Sequence, residues 1–88
     1  MKKKEITVTN KLGIHARPAS MIVKAATEFS SDIHIIKDSI TADAKSIMSI
    51  MMLAAAQKST LIIQADGNDE EGAVEAIAEL FRVNFNED

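Results

Sequence analysis

The sequence predicts a two-layer α+β domain, on three observations. Segments rich in β-branched residues and amphipathic segments follow one another as strand, helix, strand, strand, helix, strand, helix. Apolar residues recur at every second position in the former and every third or fourth in the latter, the periods of a strand and a helix. The 88 residues suit one domain, spanning 1–88. Helices interrupting short strands over one core give two layers. The pattern by itself leaves other split α/β arrangements open.

Residues 4–9 read Lys-Glu-Ile-Thr-Val-Thr, and Ile6 and Val8 alternate with polar neighbours, so this is a strand. Asn10 to Gly13 form a loop, with Gly13 giving backbone freedom just before His15. Residues 16–29 form a helix, with Ala19, Ile22, Val23, Ala26 and Phe29 on one buried face. Residues 33–37 form a second strand, in which His34 points away from Ile33 and Ile35 and meets solvent. After a turn at Asp38-Ser39, Ile40 to Ala44 return as a third.

Residues 47–56 form a helix that is apolar nearly all round, with Ser46 as its cap. It reads either as a deeply buried helix or as a methionine-rich docking surface. Gln57-Lys58-Ser59 turn the chain, and residues 60–66 form the last strand, central by its hydrophobicity. Asp69 is placed to cap a final helix over 70–83, with Glu70 and Glu71 at its positive end. Ala73, Ala76 or Ile77, Leu80 and Phe81 face inward, and the tail from Asn84 is expected to fray.

Composition narrows the function. Ten Lys and Arg against thirteen Asp and Glu leave a net charge of −3, which argues against general nucleic-acid binding. No cysteine means no disulfide and no thiolate metal site, as suits the cytosol. Met1-Lys2-Lys3-Lys4 resembles the start of a signal peptide, but residues 5–12 mix polar and apolar types, so export is not expected. No apolar run reaches the ~20 residues of a membrane span.

The chemistry gathers in Gly13-Ile14-His15-Ala16-Arg17-Pro18-Ala19. Pro18 lacks an amide hydrogen and fits a first helical turn. A helix starting just after His15 leaves the amides of Ala16 and Arg17 without intrahelical partners, at the positive end of the dipole. A group on the His15 ring would meet backbone donors and the Arg17 guanidinium together, which is an anion site suited to a phosphoryl group. Imidazole is a competent nucleophile near neutral pH. No metal cluster, carboxylate pair or nucleophile triad accompanies it, so no metal or cofactor is expected.

This stretch, with Lys45-Ser46-Ile47-Met48 and Ala65-Asp66-Gly67-Asn68-Asp69-Glu70, resembles the HPr family, the histidine-containing phosphocarriers of the bacterial phosphotransferase system. The resemblance implies an open-faced β-sandwich, a four-stranded antiparallel sheet with three helices on one face. It implies phosphorylation of His15 on Nδ1, with Arg17 neutralising the charge in transfer. It also implies a cytoplasmic, monomeric carrier rather than a stand-alone enzyme. Enzyme I is the implied donor, charged by phosphoenolpyruvate, and enzyme IIA proteins are the acceptors. Ser20, Ile47, Met48 and Met51 would form one docking face, rimmed by Lys24 and Lys45. In many Gram-positive relatives the serine matching Ser46 is phosphorylated by a kinase for catabolite control; here it is either that or a cap alone. Such a mark would lie beside Met48 and near Arg17, and would bring in a serine kinase or a transcriptional regulator.

Departures qualify the match. Many relatives carry Thr at position 16, Gly at position 49 and a small or polar residue at position 52, where this chain has Ala16, Ser49 and Met52. The usual glycine after Gln57 is Lys58. The apolar Met51-Met52-Leu53 leaves open a regulatory, nitrogen-related branch rather than sugar uptake. From another class, a small ligand-sensing α+β domain with a merely structural His15 is the remaining alternative.

Overall fold

The computed structural model describes residues 1–87. Seven main elements follow the expected order: β1 (Lys2–Thr7), α1 (Ala16–Ala26), β2 (Asp32–Lys37), β3 (Ile40–Asp43), α2 (Ile47–Met52), β4 (Thr60–Asp66) and α3 (Glu70–Arg82). The strands form one antiparallel sheet in the order β1-β4-β2-β3, with β4 and β2 inside. This is an α+β open-faced sandwich with the three helices on one face.

Register explains which side is dry. Ile63 of β4 stands opposite Ile35 of β2, which stands opposite Ala42 of β3. These side chains, with Leu61, Ala65 and Ile33, are buried against Ile22, Ala26, Ile50, Val74 and Ile77 of the helices. The alternate positions form the open face, where His34 lies between Gln64 and Asp43, half-buried at the backbone pairing and away from the core.

Three elements differ from expectation by two residues or more, each for a local reason. β1 spans Lys2–Thr7 rather than 4–9, because Lys2, Lys3 and Lys4 pair with Ala65, Gln64 and Ile63 and the N-terminal amine reaches Glu70 at 3.0 Å. Val8 still exchanges bonds with Ser59 and Lys58, but Lys58 turns left-handed (φ 78°), a backbone region that favours glycine. α1 stops at Ala26, since Glu28 and Phe29 donate three residues back and tighten the last turn. α2 stops at Met52, since Ala54 is left-handed (φ 50°), a place more often filled by glycine after a helix.

The largest correction is the tail. It does not fray at Asn84: Asn84–Asn86 wind into a short turn in which all three residues have φ between 53° and 59°. Asparagine tolerates this region; an L-residue such as Phe85 meets a cost of roughly 1–2 kcal/mol. Phe85 is fully buried, edge to face with Phe81 at 4.8 Å between ring centres. Burial of a Phe side chain contributes about 1.5–3 kcal/mol, enough to hold the strained turn in place. The Thr9 hydroxyl donates to Asn84 and ties the same turn to the loop after β1.

Asp69 precedes α3 as expected, but its carboxylate does not cap that helix. It reaches across to the β2 entrance, accepting from the Ser30 amide at 2.9 Å, the Ser31 amide at 3.0 Å and the Ser31 hydroxyl. Those bonds, the hydroxyl's above all, hold its pKa down at about 2 against some desolvation.

Candidate functional site

His15 occupies the position just before α1 in extended backbone (φ −93°, ψ −169°), and its side chain makes no capping bond. Ala19 donates to the His15 carbonyl at 3.0 Å, the first bond of the helix. The amides of Ala16 and Arg17 therefore precede the intrahelical ladder and sit at its positive end. Pro18 and Ala19 are buried beneath them, anchoring the turn in the core.

The loop before the histidine is held from three sides. Ile14 donates to the Ala55 carbonyl at 2.9 Å. The buried Asn10 side chain donates to the Gly13 carbonyl at 2.7 Å. Gly13 has φ +66°, and a Cβ there would run into the Ala55 carbonyl oxygen and lie 2.9 Å from the Ala56 Cα. Only glycine meets both demands.

The stabilised tail delivers an unforeseen group to this site. Glu87 Oε2 lies 2.8 Å from His15 Nε2 and 3.4 Å from Arg17 Nη1. Its other oxygen accepts from Asn10 Nδ2 at 3.1 Å. Arg17 Nη1 also donates to the Phe85 carbonyl at 2.9 Å. Partial burial acts to raise the Glu87 pKa, but bonds from Asn10 and His15 and the charges of His15 and Arg17 outweigh it and hold the value low. Asn10, Phe85 and Glu87 are thus site residues that the sequence reading missed. The one available signal was an aromatic residue at position 85, an odd occupant for a solvated tail.

The expected docking residues divide. Ser20 and Lys24 are exposed on α1. On α2, Ile50 alone is buried, and Met48 is 76% exposed, with Ile47 and Met51 also exposed. The helix is therefore neither deeply buried nor capped on all sides by other elements. Met52 and Leu12 are exposed as well, at 74% and 75%. Lys45 is half-buried, and its ammonium donates to the Phe29 carbonyl at 2.9 Å, beyond the end of α1.

Ile14 bonds Ala55 past the end of α2, and Lys45 bonds Phe29 past the end of α1. Ser46 does cap its own helix, accepting from the Ser49 amide at 3.2 Å.

Among the described residues, no group of three or more His, Cys, Asp or Glu is placed to hold a metal ion. No helix is long and apolar enough to cross a membrane.

Comparison with known proteins agrees with the geometry. The family model for the PTS HPr component phosphorylation site matches residues 2–82. The phosphocarrier protein HPr of Xylella fastidiosa (strain Temecula1) is 43% identical over 88 residues, covering 100% of this chain and 99% of that protein. A crystal structure of HPr-C-His from Thermoanaerobacter tengcongensis superposes with a TM-score of 0.96 at 43% identity, covering 100% and 99% of the two chains. A crystal structure of an HPr dimer from the same organism gives 0.80 at 44% identity, covering 99% and 100%. An uncapped helix start behind an imidazole and a guanidinium, together with a match over nearly the whole length, places this chain in the HPr family, the phosphocarriers of the phosphotransferase system.

Proposed function

We propose that His15 Nδ1 is the atom that carries the phosphoryl group, and that residues 1–88 act as one cytoplasmic, monomeric domain shuttling between two partners. The observation that carries this reading is the uncapped start of α1, with an imidazole and a guanidinium on it. The Nδ1 lone pair attacks phosphorus on the phosphorylated donor. The N–P bond forms as the bond from phosphorus to the donor breaks, and that electron pair returns to the donor. Passing the group to an acceptor repeats the step in the other direction. The charge on the transferring oxygens is met by Arg17 and by the amides of Ala16 and Arg17. The chain holds a phosphohistidine between partners instead of turning over a substrate of its own.

Enzyme I as donor and enzyme IIA proteins as acceptors dock on one face, made by Ser20, Lys24, Ile47, Met48 and Met51. Exposed methionine adapts to unlike surfaces, which suits a carrier with several partners. Lys45 is a weaker member, its charge already spent on Phe29. Ser46 lies at the edge of this face, where a kinase would mark it. The test is incubation with phosphoenolpyruvate and enzyme I, with intact mass measured before and after mild acid. The wild type and His34→Ala gain an acid-labile phosphate, and His15→Ala gains none. Label on His15→Ala would overturn the assignment.

A further inference from the structure

We propose that Glu87 is a positioning residue for this transfer: it fixes the His15 proton on Nε2 and so presents Nδ1 as the nucleophile. The proposal rests on the reading of His15 as the phosphoacceptor and adds what decides between its two nitrogens. An ionised carboxylate only accepts hydrogen bonds. The 2.8 Å contact between Glu87 Oε2 and His15 Nε2 therefore requires the hydrogen on Nε2. A neutral imidazole has one N–H, so the lone pair is then on Nδ1. In solution the two tautomers interconvert, and a ring with its proton on Nδ1 cannot attack from that atom.

The same contact acts during transfer. As Nδ1 gives its pair to phosphorus, the ring gains positive charge and keeps its proton on Nε2. The Glu87 carboxylate meets that charge, the role of the buried carboxylate behind the histidine of a serine protease. No proton has to leave the ring in either direction of the transfer. The carboxylate is itself held: Asn10 binds Oε1 at 3.1 Å, and the buried Phe85 two residues earlier fixes the backbone. Asn10 in turn is tied to the Gly13 carbonyl, so the loop that carries the histidine also carries the clamp on the glutamate.

The experiment reads the tautomer and the rate on the same proteins. Ring nitrogens of 15N-histidine-labelled protein are observed by long-range proton–nitrogen spectra at alkaline pH, where imidazole is neutral. Transfer from phosphorylated enzyme I is timed in parallel. The wild type shows the Nε2–H form. Glu87→Gln keeps it, because the amide oxygen still accepts, and slows transfer through loss of charge. Glu87→Ala gives a mixture of tautomers and transfers about tenfold more slowly, the loss expected for one charged hydrogen bond. An unaltered tautomer or an unaltered rate in Glu87→Ala overturns the proposal. Failure of the underlying reading appears elsewhere, as phosphate retained on His15→Ala.

Discussion

The starts of α1 and α2 are built from the same local parts and finished in opposite ways. Ser46 turns its hydroxyl inward to the Ser49 amide and completes its own helix. His15 stands at the equivalent position and caps nothing. Its helix start is instead backed by residues seventy positions away, Phe85 and Glu87, which bind Arg17 and the far side of the imidazole. A capped start has its donors satisfied and is inert. An uncapped one keeps donors for a visiting anion, at a cost to local stability that burial elsewhere must offset. The comparison separates a helix that only stabilises from one that also works.

The heaviest way to disturb this difference is to remove its anchor. Phe85→Ala empties a fully buried site, and such a change costs about 3–5 kcal/mol. Denaturant unfolding should show the midpoint falling sharply. Phe85→Leu, closer in volume, should lose no more than about 1.5 kcal/mol. Equal stability of all three would mean that the tail does not pack as described.

Arg17→Ala comes next and falls mainly on the working end. A hydrogen bond to a charged group contributes about 1.5–3 kcal/mol, so phosphoryl transfer should slow at least tenfold, while the melting curve falls far less than in Phe85→Ala, through loss of the bonds to the Phe85 carbonyl and Glu87. Arg17→Lys should recover part of the rate, since an ammonium supplies charge without the planar fork. Identical single-turnover rates for the three proteins would remove Arg17 from the transfer step.

The same contrast shows what could be read from the chain. The helix starts that hold His15, Arg17, Pro18 and Ser46 are set by neighbours within a few residues, and motif and capping rules reach those starts, though not the distant partners of His15 and Arg17. The strand pattern of β2 and β4 was legible because burial of one face imposes a period of two. Glu87 was not, because its partners are seventy or more residues away and only the aromatic residue at position 85 marks the tail. Asp69 was half legible: its type and place suggested a cap, but the amides it satisfies belong to Ser30 and Ser31 across the sheet edge. The Phe29 carbonyl that Lys45 reaches was not legible either, since a long side chain goes to whichever carbonyl is in reach.

Asp69 yields a pH prediction. Its folded pKa, about 2, lies below its ordinary 3.8. A depressed carboxyl stabilises the fold above the ordinary value and loses that contribution as pH falls through the folded one. Asp69→Asn should therefore melt below wild type at pH 5 and above, with the gap closing between about pH 4 and pH 2. A gap that stays constant over this window would mean that the negative charge is not what the Ser30 and Ser31 donors hold.

The smallest expected effect tests the inert helix start itself. Ser46→Ala removes the bond to the Ser49 amide and should cost about 1 kcal/mol, the usual loss for a serine cap. Ser46→Asp keeps an acceptor and adds charge at the positive end of a short helix, so its melting temperature should equal or slightly exceed that of wild type. Phosphoserine would add about −1.5 to −2 charges and act in the same sense. Among the described residues, no hydrogen bond joins Ser46 to His15 or Arg17. Slowing by Ser46→Asp is then expected to come from the partner, whose surface would span both helix starts when docked. Steady-state transfer from enzyme I should show a raised KM for the donor with kcat nearly unchanged, and Ser46→Ala should match wild type in both. A fall in kcat with KM unmoved would mean that the two helix starts communicate through the protein, and the division drawn between them would not hold.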